Sequence, residues 1–300
     1  MRKLLIVLFI IISLITFADD PVVVASKIDT EGALLGNMIV LILDENGIPV
    51  EDRTEFGTTS VIRSAIINGE IDIYPEYTGN GGFFFEGIEP EIWKDAQKGY
   101  EMVKKLDYDT NKIVWLTPAN ANNTWAIAIR QDFADQEGIV TLSDFADYIN
   151  EGGFVKLAGS EEFITRPDSL PAFQNTYGFE LTANQLVTFS GGNTAQTERA
   201  AALGIDDVNA AMAYGTDGAL AALGLIVLED NLEVQPVYEP TPIIREEVLN
   251  QYPEIADLLQ PVFESLDLED LQSLNSKIAI EGENAKQVAE HYLKENGFIE

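Results

Sequence analysis

Residues 22–74 decide the fold and read VVVASKIDTEGALLGNMIVLILDENGIPVEDRTEFGTTSVIRSAIINGEIDIY. The run at 22–26 is β-branched and almost wholly apolar, which is typical of a strand buried in a parallel sheet. Residues 31–45 then place apolar side chains at helical spacing and end at Asn46-Gly47, a helix stop signal. This half of the stretch therefore predicts a buried strand followed by a helix.

The second half of the stretch repeats the pattern. Residues 48–50 predict a short edge strand, and Ser60 is expected to cap a helix that continues to Asn68-Gly69. Residues 71–74 predict a third strand. Strands that alternate with helices in this way predict an α/β fold with a mainly parallel sheet.

Patterns further along the chain extend this interpretation. Residues 124–130 alternate large and mostly small side chains, with Trp125, Ile127 and Ile129 on one face, which predicts a strand. A small-residue run at 209–214 leads to a turn predicted at 215–218. The Pro-bearing stretch at 235–242 is expected to be a crossover or hinge. Helices are predicted at 91–106, 142–149, 193–203, 253–266, 268–274 and 283–296.

Composition removes several function classes. The chain has 300 residues, with 18 Lys plus Arg against 50 Asp plus Glu and a net charge of −32, which argues against a nucleic-acid partner. It has no cysteine, so it has no disulfide and no thiolate site. His291 is the one histidine and lies in a helical pattern far from any motif, where a surface role is expected. No motif for a phosphate loop, a zinc protease or a hydrolase nucleophile is found. We therefore expect no catalytic residue, no metal and no cofactor.

The N-terminus has the pattern of a secretory signal peptide. Arg2 and Lys3 precede an apolar run at 4–17, and Thr16-Phe17-Ala18 provides small residues for cleavage. We predict a signal peptide at 1–18 and an exported protein, in the periplasm or at the extracytoplasmic face of the envelope. An uncleaved N-terminal anchor is the alternative.

Four aromatic residues occur where predicted strands meet loops. Tyr77 lies at the end of a predicted strand, and Trp125 begins another. Tyr214 ends a small-residue run just before Gly215, and Tyr238 lies between two prolines. Ligands of open α/β sheets bind where strands end, and clustered ring faces form a cage for a cation, above all a quaternary ammonium. The alternative is that each ring is ordinary core.

Two basic residues occupy similar positions. Lys27 follows the first strand and Arg166 precedes Pro167-Asp168 in a loop. Two such cations can hold an anion, and arginine grips a carboxylate with two hydrogen bonds. The alternative is a surface charge paired with the abundant carboxylates.

Four strings in this order resemble the osmoprotectant-binding proteins of ABC importers, which take glycine betaine, choline or carnitine. They are SKIDTE at 26–31, GEIDIYPEYTG at 69–79, AYGTDG at 213–218 and PVYEP at 236–240. The resemblance covers residues 22–299, nearly the whole chain beyond the predicted signal peptide.

The resemblance implies a two-lobed type II periplasmic-binding-protein fold with the ligand cleft between the lobes. Each lobe is expected to be a mixed, mainly parallel sheet flanked by helices. Residues 19–121 plus 236–300 would form lobe I, and residues 122–235 would form lobe II.

The resemblance also implies a set of ligand-binding residues. Asn80 stands where many relatives have Thr, Asn123 where many have Asp, and Trp125 where better-known members have Tyr. The implied set comprises an aromatic box of Tyr77, Trp125, Tyr214 and Tyr238, a carboxylate clamp of Lys27 and Arg166, and the polar residues Asn80 and Asn123.

The function implied is that of a monomeric substrate-binding protein that delivers a small zwitterionic or cationic ligand to a membrane permease. A betaine uses both the cage and the clamp, so we rank glycine betaine or a similar betaine above choline. Choline or carnitine, another small solute, and a sensor role remain alternatives, and an enzyme on the same fold ranks last.

Overall fold

The computed structural model describes residues 20–190 and 193–300, so the predicted signal peptide at 1–18 lies outside the described residues. Within those ranges, strands form two five-stranded sheets. The first sheet contains β1 (Val22–Lys27), β2 (Val50–Gly57), β3 (Ile73–Tyr77), β4 (Ile113–Trp115) and β10 (Pro240–Arg245). The second contains β5 (Trp125–Arg130), β6 (Leu157–Ser160), β7 (Leu186–Phe189), β8 (Ala210–Tyr214) and β9 (Leu225–Val227).

Both sheets are mixed and follow one plan. The first has the strand order β2-β1-β3-β10-β4, and the second has the order β7-β6-β8-β5-β9. In the first sheet β10 is antiparallel to both of its neighbours, and in the second β5 is. The remaining pairs are parallel. Four strands of each sheet therefore point the same way, as the expectation of mixed, mainly parallel sheets requires.

Helices cover both faces of the sheets. They are α1 (Thr30–Glu45), α2 (Thr59–Ile67), α3 (Gly81–Phe84), α4 (Ala96–Asn111), α5 (Gln131–Glu137), α6 (Leu142–Asn150), α7 (Glu161–Thr165), α8 (Leu170–Tyr177), α9 (Thr194–Leu203), α10 (Glu246–Gln251), α11 (Glu254–Ser265), α12 (Leu268–Ala279) and α13 (Ala285–Glu295). Short 3-10 turns lie at Thr78–Asn80, Pro90–Ile92, Ala183–Gln185 and Ile205–Asp207. No helix in the described ranges combines the length and the apolar character that a membrane crossing needs.

The apolar residues of α1 explain its central place in the first lobe, which we define as the first sheet with its helices. Leu34 and Met38 are fully buried in a core that also contains Phe263 of α11 and Leu293 of α13. The opposite face of the sheet packs against α2 and α4 around Trp115. Burying apolar side chains on both faces stabilises the layered arrangement.

The second lobe, defined as the second sheet with its helices, has separate cores on its two faces. One core includes Phe145 of α6 and Phe173 of α8. The other is built largely from alanines, among them Ala200 of α9 and Ala211 of β8. Small side chains at these positions let α9 lie close to the sheet.

The chain passes between the sheets twice, after β4 and before β10. Asn123 donates its backbone N–H to the Tyr238 carbonyl at 2.9 Å, and the Tyr238 N–H donates to Asn122 Oδ1 at 2.8 Å. The two crossovers are therefore hydrogen-bonded to each other. The predicted crossover at 235–242 is shorter than expected, because β10 already begins at Pro240. The lobe limits at residues 121 and 236 stay a prediction.

Two elements of the first lobe differ from their predictions. The edge strand predicted at 48–50 is wrong, because β2 runs from Val50 to Gly57. Its residues are mostly polar and partly exposed, so they give no apolar signal. The cap predicted at Ser60 is also wrong, since α2 begins at Thr59 with Thr58 as its cap residue.

Two further boundaries shift along the chain. The helix predicted at 91–106 is interrupted, because a 3-10 turn ends at Ile92 and α4 starts at Ala96. Asp95 sets that start by accepting the Lys98 N–H at 3.0 Å. The strand predicted at 71–74 lies at Ile73–Tyr77, which brings Tyr77 into the sheet as its last residue.

Candidate functional site

The eight predicted site residues line a single cavity between the lobes. The cavity has an empty volume of about 460 Å³, which includes the space at its mouth that is open to solvent. It also meets Ile28, Asp29, Thr58, Thr59 and Glu162, which the sequence analysis did not select. The predicted members lining it are Lys27, Tyr77, Asn80, Asn123, Trp125, Arg166, Tyr214 and Tyr238.

Strand pairing explains why the four aromatic residues converge. Trp125, the first residue of β5, is paired with Tyr214, the last residue of the antiparallel β8. Pro240, the first residue of β10, is paired with Tyr77, the last residue of β3, and Tyr238 lies two residues before it. Because each antiparallel pair joins a strand start to a strand end, each pair places its two aromatic residues at one edge of its own sheet. The two edges face the same cavity.

The rings are held in place by their neighbours. The Trp125 and Tyr214 ring centroids are 4.8 Å apart, and Phe163 supports Trp125 from behind at 5.4 Å. A Cβ at Gly79 would approach the Tyr238 ring to 2.7 Å, so the ring lies directly against that backbone. These contacts restrict the rotation of the Trp125, Tyr214 and Tyr238 rings at the cavity wall.

Lys27 lies at the cavity wall and forms an ion pair with a buried carboxylate. Its ammonium donates to Glu76 Oε1 at 2.6 Å, and both side chains are buried. The same carboxylate accepts from the Tyr74 hydroxyl at 2.8 Å and from Asn80 Nδ2 at 2.7 Å. The ammonium also lies 4.6 Å from the centroid of the Tyr77 ring. Glu76 is thus a buried counter-charge that the sequence analysis missed, although it lies in one of the quoted strings.

Arg166, which caps the C-terminus of α7, is paired more extensively. It donates to Asp168 through Nε at 2.6 Å and through Nη2 at 2.7 Å. It also donates to Glu162 at 3.0 Å and, across the cavity, to Asn80 Oδ1 at 2.7 Å. Burial opposes the charge, but the hydrogen bond and charge of Asp168 outweigh it and raise the pKa of Arg166 above its ordinary value. The guanidinium is therefore a permanent cation at the cavity wall.

Two further carboxylates line the cavity. Asp29 caps α1 by accepting the Gly32 N–H at 2.7 Å, and burial raises its pKa. Glu162 is the second, and it forms an ion pair with Arg166. Asp29 was not predicted, but it follows Lys27 closely in the string SKIDTE, in a cap pattern, and that position is the signal that could have identified it. Nothing local distinguished Glu162 among 50 acidic residues.

His291 takes no part in this site. It lies on α13, is exposed, and faces Glu295 at 3.2 Å. Residues 20–190 and 193–300 contain no cluster of three or more acidic or imidazole side chains suited to a metal ion. The side chains that line the cavity are suited to binding a small charged ligand, with rings for a cation and basic groups for an anion.

The family comparison points the same way. A family model described as the substrate binding domain of an ABC-type glycine betaine transport system matches residues 20–295. The chain is similar to the glycine betaine-binding protein YehZ of Escherichia coli K12, with 56% identity over 287 residues, 96% of this chain and 94% of that protein. It is 33% identical over 285 residues to a glycine-betaine-binding protein of Pseudomonas aeruginosa, covering 92% of this chain and 88% of that protein.

Solved structures share the fold. The apo structure of YehZ from E. coli aligns with a TM-score of 0.68 at 57% identity, covering 93% of this chain and 99% of that one. A crystal structure titled glycine betaine/carnitine/choline ABC transporter aligns with a TM-score of 0.72 at 22% identity, covering 93% of this chain and 100% of that one. The likeness to these structures shows the two-lobed binding-protein fold.

Proposed function

Because the chain belongs to the family of substrate-binding domains of ABC-type glycine betaine transport systems, we propose that its cavity binds glycine betaine or a closely similar betaine. The bound ligand is then presented to the membrane permease of an importer. The observation that carries the proposal is the convergence of four aromatic rings and two cations on one cavity.

The cage accounts for the quaternary ammonium. Trimethylammonium cannot donate strong hydrogen bonds, so ring faces replace its water better than polar groups do. Each cation–π contact in a dry site contributes roughly 0.5 to 2 kcal/mol. Four such contacts contribute about 2 to 8 kcal/mol before the ordering cost of binding is subtracted.

The clamp accounts for the carboxylate. Lysine has three N–H donors, and within the described residues Lys27 directs one hydrogen bond, to Glu76. The helix α2 also starts at the cavity wall with Thr58 and Thr59, so its N-terminal N–H groups add partial positive charge there. Each charged hydrogen bond contributes roughly 1.5 to 3 kcal/mol. Micromolar affinity requires about 8 kcal/mol net, so the ligand needs both cage and clamp.

The existing ion pairs limit the affinity. Glu76, Glu162 and Asp168 already face the clamp cations, so a ligand carboxylate must share those cations with them. We therefore propose that the protein binds glycine betaine with lower affinity than a site with two unpaired cations would. The residues Asp29 and Glu162 on the cavity wall also make choline the second candidate, since choline brings a positive charge and no carboxylate.

Two further points extend the proposal. Residues 1–18 direct export, so the protein meets its ligand on the extracytoplasmic side. Residues 19–121 with 236–300 and residues 122–235 close on the ligand as two lobes, in the manner of hinged binding proteins. Contacts across the cavity, such as that of Arg166 with Asn80, support a closed arrangement.

Calorimetric titration of the purified protein with glycine betaine and then choline tests the proposal. Saturable binding of glycine betaine, weakened by Arg166→Ala and unchanged by Arg130→Ala, is the expected result. Arg130 is a suitable control because it lies in the same lobe, is partly exposed and pairs with Asp132. No binding of either ligand would overturn the ligand assignment, and tenfold tighter binding of choline would overturn the ranking.

A further inference from the structure

Glu31 is a buried carboxylate that lies just outside the cavity wall. It is the second residue of α1 and is 3% exposed. Its Oε1 accepts from the Tyr77 hydroxyl at 3.1 Å and from Asn123 Nδ2 at 3.0 Å. Its Oε2 accepts from Asn275 Nδ2 at 2.8 Å. The donors come from the end of β3, from a crossover and from α12.

The same amides connect Glu31 to the turn at 215–218, which follows Tyr214. Asn123 Nδ2 donates to Thr216 Oγ1 at 2.7 Å, and Asn275 Nδ2 donates to the Thr216 carbonyl at 3.2 Å. This network joins Tyr77 of the first lobe to the turn beside Tyr214 of the second. Glu31 therefore holds the Tyr77 ring directly through its hydroxyl and reaches the turn that follows Tyr214 through two amide side chains.

Glu31 differs from the other buried glutamate behind the cage in having no cation beside it. Glu76 is paired with Lys27, whereas the ion pairs among the described residues include none to Glu31. Its charge is balanced by amide and hydroxyl dipoles alone. In a medium of low polarity the electrostatic field of such a charge extends over several ångströms. The Glu31 carboxylate therefore attracts a cation bound among the four rings.

We propose that Glu31 is a positioning residue that makes the cage selective for a quaternary cation, without touching the ligand. The inference rests on the function proposed above. The carboxylate holds Tyr77 by its hydroxyl, and a phenol that donates to a carboxylate has a more electron-rich ring. The charge of Glu31 and the enriched ring both favour a positive ligand over a neutral one of the same shape.

The ionisation of Glu31 supports a measurable pH dependence. Burial raises the pKa of Glu31 to about 7, the hydrogen bonds from Thr216, Asn275 and Tyr77 lower it, and the charge of Asp29 adds to the rise. The titratable groups around it include the Tyr77 hydroxyl, Asp29 and, over the Tyr77 ring at 4.6 Å from the centroid, the Lys27 ammonium. Its other contacts are the neutral side chains of Thr216, Asn123 and Asn275. A bound cation favours the ionised form, so affinity for a cation falls as the pH drops below about 7.

Two ligands of one shape separate charge recognition from simple structural support. Glycine betaine and 3,3-dimethylbutanoate differ only in the central atom, a charged nitrogen or a neutral carbon. Calorimetry or competition binding gives the affinity ratio of the two for the wild type and for Glu31→Gln. We expect the substitution to weaken glycine betaine about tenfold and to leave 3,3-dimethylbutanoate within about twofold.

The control Glu45→Gln removes the same charge from the exposed far end of α1 and should leave both affinities unchanged. Tyr77→Phe keeps the Glu31 charge but removes its hydrogen bond, so it should reduce the ratio less than Glu31→Gln does. If Glu31→Gln fails to fold, the wild type decides by its pH profile. Affinity for glycine betaine should fall between pH 8 and about 6, while affinity for 3,3-dimethylbutanoate should not.

The outcomes distinguish the two proposals. Failure of the wild type to bind glycine betaine refutes the proposed function and this inference with it. Binding by the wild type with an equal loss of both ligands in Glu31→Gln refutes the inference alone, since a merely structural role lowers both affinities. A pH profile that is the same for both ligands refutes it as well.

Discussion

Replacing Arg166 with alanine should reverse the preference between glycine betaine and choline. The guanidinium is 5% exposed at the cavity wall, and a ligand carboxylate would share it with Asp168 and Glu162. Removing it deletes one or more charged hydrogen bonds to the ligand, worth roughly 1.5 to 3 kcal/mol. At 1.4 kcal/mol per tenfold, this weakens glycine betaine by about 10- to 150-fold.

The same substitution should leave choline unharmed or improved. Without the guanidinium, Asp168 and Glu162 remain at the site with no cation to neutralise them. Their side chains are 28% and 19% exposed, so their carboxylates should attract a positive ligand at moderate strength. We expect choline affinity to change by less than about threefold, or to rise.

Competition calorimetry with both ligands measures the ratio directly, so errors in protein concentration cancel. Arg166→Lys is the informative second variant, because lysine keeps the charge but cannot hold both Asp168 oxygens and Asn80 together. It should fall between the wild type and the alanine variant. Equal losses of both ligands in Arg166→Ala, with the melting temperature unchanged, would contradict the clamp assignment.

Three further changes test the cage, the lobe contact and a buried acid pair. Trp125→Ala should weaken both ligands by about 10- to 100-fold in calorimetry, because it removes one ring and the support of its neighbour. Gly218→Ala should lower both the melting temperature and ligand affinity, since its Cβ would lie 1.9 Å from the Gln272 carbonyl. Burial and the adjacent charge of Asp217 raise the pKa of Glu198. A raised folded-state pKa contributes stability that is lost as pH rises, so Glu198→Gln should flatten the fall in melting temperature between about pH 6 and 9. A slope equal to that of the wild type would show that this pair is not responsible.

Position along the strands made most of the site predictable. Tyr77, Tyr214 and Trp125 lie where predicted loops begin or end. Ligands of open α/β sheets bind at such positions, because the carboxyl ends of parallel strands lie at the same edge of a sheet. The prediction that these residues lie close together required only the direction of each strand and not its exact first or last residue. Tyr77 therefore still lies at the cavity although β3 lies at Ile73–Tyr77 and not at 71–74. That these residues bind the ligand stays a prediction.

The partners of the charged residues were not predictable in this way. Lys27 and Glu76 are 49 residues apart and meet because β1 and β3 are neighbours in the sheet. Sequence spacing does not give that register. Asp168 is only two residues from Arg166, yet a nearby acidic residue is common in so acidic a chain. The strand β2 was misplaced for a related reason, since a polar edge strand gives no alternation of burial.

The charges around the cavity constrain the ligand more closely than the rings do. Two cations, Lys27 and Arg166, face Glu76, Glu162 and Asp168 as partners, and Asp29 and Glu31 add negative charge near the cage. A simple anion would meet more like charges than opposite ones, so it should bind more weakly than a betaine of the same shape. A ligand whose positive group lies among the four rings is attracted by the carboxylates near them. Its own carboxylate then reaches Lys27 and Arg166 in only one orientation of the ligand. We therefore expect both the cation and the carboxylate of the ligand to contribute to the affinity. Substitutions at Glu31 should change the contribution of the cation, and substitutions at Arg166 should change that of the carboxylate.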